Sequence, residues 1–140
     1  MTTLEDAPAT ILVVEDVHEI RDGIETLLIA DGYRVASARN VQDAIESARR
    51  TEPDLILVSL AGSPREVIFS ALSIRQRAEI KERVAVVVFC AEGIDEGDEV
   101  AIGKNVYLTH PDNFNQLRTL IARLLKENSI AAAGNCLVSV

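Results

Sequence analysis

Short aliphatic runs alternate along this chain with longer segments in which apolar residues recur every three or four positions. The aliphatic runs lie at about residues 10–15, 33–38, 54–60, 84–90 and 106–109. Apolar runs of this length are typical of parallel strands that are buried on both faces. The periodicity between them is that of amphipathic helices, which bury one stripe and expose the other. The pattern therefore predicts an α/β chain of five strands alternating with helices.

Five helices are predicted, at about residues 17–30, 40–50, 64–78, 91–104 and 113–127. The fourth has the poorest pattern, because it contains three glycines. Each glycine costs about 1 kcal/mol relative to alanine in a helix interior. Residues 128–140 have no sustained period. A loose tail, the start of a linker and a strand that needs a partner all fit that last segment.

Alternating strands and helices give a parallel sheet that is covered by helices on both faces. In such doubly wound folds, ligands bind beyond the carboxyl ends of the strands. The residues at those ends are Glu15, Asp16, Ser59, Cys90 and His110. We therefore expect a functional site to draw on this set. The oxygen side chains that follow the first and third strands are expected to lie side by side.

Composition and charge narrow the classes of function. The 140 residues are 48% hydrophobic and 26% charged, as in soluble globular domains, and the formal net charge is −8. Such a chain is not expected to bind nucleic acid or an anionic membrane by itself. No apolar stretch approaches the roughly 20 residues of a membrane helix, and no secretory signal is readable. Cys90 and Cys136 lack metal-ligand spacing, so a reduced, cytoplasmic protein is expected.

Several sequence features, taken together, are similar to those of one known family. They are Ile11–Asp16 followed by Arg21, Ala44 in the second helix, Pro53–Leu60, Val84–Ala91 and Tyr107–Pro111. Over about residues 9–127 the chain resembles the receiver domain of bacterial response regulators. The resemblance implies a flavodoxin-like, doubly wound, five-stranded parallel sheet in the order 2-1-3-4-5, with five helices. Residues 1–8 are then an N-terminal extension, and residues 128–140 a C-terminal tail or the start of a linker.

The resemblance implies that two features of the family's site are kept. The acidic pair that holds Mg²⁺ in the family matches Glu15 and Asp16, and the aromatic switch residue matches Tyr107. Acidic residues beside a helix N-terminus are also favourable without any cation. We therefore expect no cofactor, apart from weak Mg²⁺ binding at the acidic pair as an alternative. Tyr107 is expected either to switch its side-chain conformation or to lie at a binding face.

Three positions that handle the phosphoryl group in the family are substituted. The phosphoacceptor aspartate falls on Ser59, the hydroxyl switch residue on Cys90 and the lysine on His110. A serine hydroxyl is a weak nucleophile without a base, and it is a poorer Mg²⁺ ligand than a carboxylate. Cysteine is a weak hydrogen-bond donor, and the charge of histidine depends on pH. Ser59 is therefore expected to be inert, with serine phosphorylation and ligand contact as the alternatives.

The leading functional hypothesis is an atypical receiver domain that is not an enzyme and acts by binding a signalling protein. The partner is a histidine kinase, an output domain or another regulator. The expected surface is the fourth helix, fifth strand and fifth helix, which the family also uses for homodimers. The alternative hypothesis is a small-molecule or redox sensor that uses a pocket formed by Ser59, Cys90 and His110.

Overall fold

A six-stranded sheet forms the centre of the computed structural model, which describes residues 8–89, 94–111 and 113–139, with 128–139 as backbone only. The strands are β1 (Thr10–Glu15), β2 (Arg34–Ala38), β3 (Leu55–Ser59), β4 (Ala85–Phe89), β5 (Glu99–Gly103) and β6 (Val106–Thr109). Their order across the sheet is β2-β1-β3-β4-β6-β5. The first five strands in this order run parallel, and β5 runs antiparallel to β6 at one edge.

Four helices are present in the described residues: α1 (His18–Ala30), α2 (Val41–Thr51), α3 (Pro64–Arg77) and α4 (Phe114–Ser139). Successive side chains of a strand point to opposite faces of the sheet. Thus Ile11 and Val13 of β1 pack in the cluster that α1 and α4 cover, whereas Leu12 and Val14 pack in the cluster that α2 and α3 cover. The predicted doubly wound α/β architecture is confirmed.

The predicted element count is wrong, since the described residues form six strands and four helices rather than five of each. The predicted strand order holds for the five parallel strands, with β6 taking the place of the fifth strand. The difference lies between β4 and β6, where residues 91–104 are predicted to be helical. The described part of that segment contains the edge strand β5 instead of a helix.

Strand pairing explains why the segment before β6 does not form a helix. Gly97 adopts a positive φ of 91°, which ends any helical run and suits a turn. Beyond the turn, Val100 lies opposite Leu108 and Ala101 lies opposite Tyr107 in the antiparallel register. A β-branched valine in an alternating pattern favours a strand when a neighbouring strand edge is available. Of the glycines that weaken the helical pattern, Gly97 lies in the turn before β5 and Gly103 lies in β5 itself.

Local sequence signals set the helix boundaries beside β2 and β3. The Asn40 side chain accepts a hydrogen bond of 2.9 Å from the backbone N–H of Asp43, which caps α2 as predicted. Ser63 and Glu66 form a reciprocal capping box at the start of α3. Gly32, with φ 97°, follows the end of α1. These signals confirm the predicted starts of α2 and α3 and the predicted end of α1.

The last helix is longer than its apolar periodicity predicts. α4 continues to Ser139, so the backbone of residues 128–139 is helical and does not form a strand. The expectation that residues 128–140 are a C-terminal tail or the start of a linker stays a prediction. Length alone does not make it a membrane helix. None of the helices in the described residues combines the length and the apolar character that crossing a bilayer requires.

Candidate functional site

The carboxyl ends of β1 and β3 bring Glu15 beside Ser59. The two residues are Cα partners in the parallel pairing of the two central strands. The Ser59 hydroxyl donates a hydrogen bond of 2.7 Å from Oγ to Oε1 of Glu15. This contact joins residues 44 positions apart in the chain, so it depends on the strand register and not on local sequence. Position 59 thus carries a hydrogen-bond donor at the carboxyl edge of the sheet. The resembled family has at this position the aspartate that accepts the phosphoryl group.

Each oxygen of the Glu15 carboxylate accepts a hydrogen bond. Its side chain lies in the interior, since the residue is only 3% exposed. The second carboxylate oxygen, Oε2, accepts a hydrogen bond of 3.0 Å from the backbone N–H of Val17. A buried carboxylate without donors would be strongly destabilising, whereas a hydrogen-bonded one is tolerated. The Ser59 hydroxyl and the Val17 amide thus both stabilise this buried acid.

Arg21 holds the loop that follows β1. Its Nη1 donates a hydrogen bond of 2.6 Å to the backbone carbonyl of Glu15. Its Nη2 lies 3.1 Å from Nδ1 of His18, whose Nε2 lies 3.2 Å from Oδ2 of Asp22. Asp16 remains exposed in this loop. The loop is therefore fixed by backbone contacts of Arg21, and the second acid of the pair faces water.

His110 is bonded to the segment before β5. Its Nδ1 lies 3.2 Å from the carbonyl oxygen of Ile94, so Nδ1 carries the proton and donates. Its backbone carbonyl accepts a hydrogen bond of 2.7 Å from Gly97, and its backbone N–H donates one of 3.2 Å to Asp98. The described hydrogen bonds of His110 therefore run to residues 94–98, the segment before β5.

Tyr107 is half-buried on β6, between Val87 of β4 and Ala101 of β5. Its ring packs against the apolar cluster that α1 and α4 cover. Nearby, the Arg123 guanidinium of α4 pairs with the Glu99 carboxylate of β5. The aromatic side chain thus lies on the α4 side of the sheet, under an ion pair that ties α4 to the edge strand.

Cys90 lies outside the described residues, so the expectations for its thiol stay predictions. The structure brings Glu15 and Ser59 together, while the described contacts of His110 lie elsewhere. A cavity of about 250 Å³ lies at the opposite, amino edge of the sheet, lined by residues such as Arg49, Pro53 and Ile80. That cavity is not the pocket that the sensor hypothesis requires.

The side chains at the carboxyl edge of the sheet do not supply the oxygen ligands that would hold a divalent cation tightly. Hard cations take several oxygen ligands and favour anionic ones. In the described part of the chain, no group of three or more His, Cys, Asp or Glu side chains could hold a metal ion. Both Glu15 carboxylate oxygens already accept hydrogen bonds, and Ser59 directs its proton at one of them. The site therefore holds its buried acid by hydrogen bonds, and Asp16 is left as an exposed carboxylate.

Two contacts of the site could not be found from the sequence. The Val17 amide and the Glu15 carbonyl act through backbone atoms, and any residue type would supply them. Arg21 stands in the motif after β1, but its six-residue spacing from Glu15 does not say that the guanidinium turns back across the loop. Such contacts follow from the path of the chain rather than from side-chain chemistry.

Comparison with known sequences points to one family. The family described as "Response regulator receiver domain" matches residues 11–122. The KDP operon transcriptional regulatory protein KdpE of Escherichia coli is 30% identical over 131 residues, which cover 91% of this chain and 56% of that protein. The transcriptional regulatory protein KdpE of Staphylococcus aureus is 30% identical over 113 residues, covering 79% of this chain and 47% of that protein. The chain spans about half the length of these curated relatives.

Solved structures give the same result. The receiver domain of the sensor histidine kinase PA1611 from Pseudomonas aeruginosa, which has a magnesium ion coordinated in its active-site cleft, is 26% identical with a TM-score of 0.64, covering 86% of this chain and 99% of that one. The N-terminal domain of a response regulator/sensory box/GGDEF protein from Carboxydothermus hydrogenoformans is 25% identical with a TM-score of 0.65, covering 88% and 98%. This chain therefore belongs to the response regulator receiver domain family, the receivers of two-component signalling.

Proposed function

We propose that this chain is an atypical receiver domain that works without phosphorylation of an aspartate and acts by binding another signalling protein. One observation carries the proposal. The side chain at the phosphoacceptor position is a hydroxyl, and it donates its proton to a buried carboxylate 2.7 Å away. The family resemblance supplies the position, and the hydrogen bond supports the proposal that the side chain there is not a phosphoryl acceptor.

The chemistry of the Ser59–Glu15 pair opposes phosphoryl transfer. A carboxylate attacks a phosphoryl donor as an anion that already exists at pH 7, whereas a serine hydroxyl must first lose its proton. Glu15 is the hydrogen-bonded acceptor of that proton. A carboxylate is a far weaker base than a serine alkoxide, so it does not remove this proton near neutral pH. Ser59 therefore stays a neutral hydroxyl.

The position of the family's lysine gives independent support. A lysine there would offer a permanent ammonium to the phosphoryl group, and His110 replaces it. The His110 ring is bonded to the Ile94 carbonyl by the nitrogen that lies 3.2 Å away. The ring thus serves to hold the segment before β5. Phosphoryl transfer to position 59 would therefore lack both the lysine ammonium and the aspartate carboxylate that the family provides.

Without phosphoryl chemistry, the domain changes state only through a partner that binds one state better than another. The partner classes that fit the family are a histidine kinase, an output domain and another regulator. We place the contact on β6, α4 and the edge strand β5, where Tyr107 lies half-buried and α4 is tied to β5 by the Arg123–Glu99 pair. The domain then acts by binding and not as an enzyme.

Treatment with acetyl phosphate and Mg²⁺, followed by intact-mass spectrometry, tests the first half of the proposal. We expect no hydroxylamine-labile phosphate on the natural chain. The matched triple variant Ser59→Asp/Cys90→Thr/His110→Lys restores the family's residue types at the three substituted positions and serves as the positive control for the reagents. A hydroxylamine-labile phosphate on an aspartate of the natural chain would overturn the proposal, because hydroxylamine cleaves an acyl phosphate under mild conditions and leaves a serine phosphate intact.

Capture of binding partners tests the second half. The chain is expected to retain a signalling protein from a lysate of its source equally well with Mg²⁺ and acetyl phosphate and with a chelator. Mass spectrometry of the captured material identifies the partner class. Binding that appears only after treatment with acetyl phosphate would contradict a phosphorylation-independent mode of action.

A further inference from the structure

The cavity at the amino edge of the sheet lies between the C-terminal ends of α2 and α3. Its volume is about 250 Å³, and its apolar wall includes the buried residues Ala48, Pro53, Ala78 and Val84. The short side chains of the two alanines leave the space between the helix ends unfilled. The phosphoryl site of the family lies at the opposite, carboxyl edge of the sheet, so the cavity is a separate site.

The residues that line the cavity are of two chemical kinds. Five of the ten are aliphatic, and the other five carry ionised side chains: Arg49, Glu52, Glu79, Lys81 and Arg83. None of the ten has a hydroxyl, an amide, an imidazole or an aromatic ring in its side chain. Ligand sites combine apolar walls with a few polar groups that fix the orientation of the ligand. The lining therefore suits a ligand with an aliphatic body and ionised groups.

The ionised residues of the cavity do not pair with each other. All five are exposed, and none of them forms an ion pair with another described residue. Arg49 donates a hydrogen bond of 2.7 Å to the carbonyl oxygen of Arg77, which joins the ends of the two helices beside the cavity. Its guanidinium has five N–H donors, so others remain for a ligand. Acids and bases that line one cavity without pairing can bind a ligand that carries both charges.

Both acidic residues of the cavity adopt a backbone conformation that is unusual for glutamate. Glu52 directly follows α2 with φ 49°, and Glu79 lies just beyond α3 with φ 56°. Glycine or asparagine is the usual residue in this left-handed conformation after a helix. A carboxylate there also meets the negative end of the helix dipole. Locally unfavourable choices of this kind are typical of functional sites, and here two of them lie at one cavity.

The positions of the charges in the chain set the orientation of a ligand. Glu52 and Glu79 lie at the C-terminal ends of α2 and α3, where the helix dipoles also favour a cation such as an ammonium group. Lys81 and Arg83 follow in the connection to β4 and favour a carboxylate. An α-amino acid carries both groups on one carbon atom, and its side chain is free to contact the apolar wall.

We propose that this cavity binds a free aliphatic α-amino acid, with its ammonium group at Glu52 and Glu79 and its carboxylate at Lys81 and Arg83. Pockets for drug-sized ligands measure roughly 300–1,000 Å³, so a cavity of about 250 Å³ suits a smaller ligand of this kind. Exposed ion pairs each contribute little, so we expect a dissociation constant of about 0.1–1 mM at low salt. The proposal does not rest on the proposed function, since it concerns the other edge of the sheet.

Amide NMR spectra of the full, isotope-labelled chain, titrated with L-leucine, test the site. Leucine should shift signals of residues 48–53 and 78–84, with a dissociation constant of about 1 mM or lower. Isocaproate lacks the ammonium group of leucine, isoamylamine lacks its carboxylate, and each should bind at least about tenfold more weakly. No shifts with alanine, valine or leucine at up to about 10 mM would overturn the proposal, and so would an analogue that binds as well as leucine.

Removal of the two cations should abolish recognition of the carboxylate. Lys81→Gln/Arg83→Gln should weaken leucine binding at least about tenfold, to the level of isoamylamine. Arg50→Gln/Arg77→Gln makes the same charge change at exposed arginines of α2 and α3 that do not line the cavity, and it should bind leucine as the natural chain does. The substituted side chains are exposed, and the spectra of the variants verify that they are folded.

Removal of the two acids should abolish recognition of the ammonium group. Glu52→Gln/Glu79→Gln should weaken leucine binding to the level of isocaproate, whereas Glu19→Gln/Glu46→Gln, at exposed glutamates away from the cavity, should leave it unchanged. Equal effects of cavity and control variants contradict the proposed site. That result would leave the proposed function unaffected, because treatment with acetyl phosphate tests the carboxyl edge alone.

Discussion

The Ser59 hydroxyl lies 2.7 Å from Oε1 of Glu15, and the two residues are Cα partners in the pairing of β3 with β1. This hydrogen bond and the one from the backbone N–H of Val17 satisfy a buried acid at the carboxyl edge of the sheet. In receiver domains with an aspartate at this position, two carboxylates would meet there, and a cation would be needed to offset their repulsion. With a serine at position 59, only the Glu15 carboxylate of this pair remains, and it accepts a hydrogen bond from the serine hydroxyl.

Removal of the Ser59 hydroxyl should destabilise the fold. In Ser59→Ala, Oε1 of Glu15 loses its donor while the residue stays buried, so the free energy of unfolding should fall by about 1–3 kcal/mol. Urea unfolding followed by circular dichroism measures the change. Ser37→Ala, at an exposed serine of β2, is the matched control and should change stability by less than about 0.5 kcal/mol. Equal effects of the two substitutions would show that the Ser59–Glu15 bond contributes nothing to stability.

A carboxylate at position 59 should make the stability depend on a divalent cation. Ser59→Asp places a second carboxylate beside Glu15 and removes its donor, so the variant should unfold at lower temperature than the natural chain in a chelator. Mg²⁺ should raise the melting temperature of the variant by several degrees more than that of the natural chain.

The double variant Glu15→Gln/Ser59→Asp is the control for that cation effect, because it again has a single acid at the two positions. Its melting temperature should respond to Mg²⁺ as little as that of the natural chain. A natural chain that gains as much from Mg²⁺ as Ser59→Asp would contradict the view that the hydroxyl has replaced the cation.

Alkaline pH should destabilise the chain through Tyr33. Burial, followed by the nearby Asp31 carboxylate, raises the pKa of Tyr33, whereas Arg118 lowers it. A phenol whose pKa is raised on folding contributes stability below its unfolded pKa of about 10, and this is lost as the pH rises through the folded pKa. The free energy of unfolding should therefore fall above about pH 10, and less so in Tyr33→Phe.

Arg118 should also affect the ionisation of Tyr33. Its guanidinium donates two hydrogen bonds of 2.7 Å to Asp31 and lowers the pKa of Tyr33 by its charge. Arg118→Gln should therefore raise the pKa of Tyr33 further. Tyrosinate absorbance in a Tyr107→Phe background isolates this one phenol. A downward shift in Arg118→Gln would show that Arg118 does not act on Tyr33 through its charge.

Replacement of Arg75 should lower the free energy of unfolding more than replacement of an exposed arginine. It is half-buried, burial lowers its pKa, and it donates to the carbonyls of Lys81 and Val84 at 2.9 Å and 2.6 Å and to Asn105 at 3.3 Å. Arg75→Ala removes these donors from the turns before β4 and β6 and should lower the free energy of unfolding by about 2–3 kcal/mol. Arg77→Ala, at an exposed arginine of the same helix, should cost less than about 0.5 kcal/mol. Similar losses in urea unfolding for both variants would refute the special role of Arg75.

Much of the fold was predictable, because its signals are local. The continuous apolar run of β1 predicts a strand, and the cap at Asn40 predicts the start of α2, each from a few neighbouring residues. Their strand-end positions also placed Glu15 and Ser59 at one edge of the sheet. The helix predicted before β6 was wrong, since its residues gain more from pairing with Leu108 and Tyr107 than from a helix interrupted by glycines. The expectations for Cys90 lie outside the described residues and stay predictions.

The sequence by itself determined that the chain is an alternating α/β domain and that a hydroxyl stands where an acid is usual, since periodicity and residue identity are local properties. The tertiary structure decided that this hydroxyl bonds Glu15, that His110 turns to Ile94 and that β5 joins the sheet edge. Each of these contacts joins residues that are distant in the chain or belong to different elements. They depend on strand register and loop path, which are set by the packing of the whole domain rather than by any one segment.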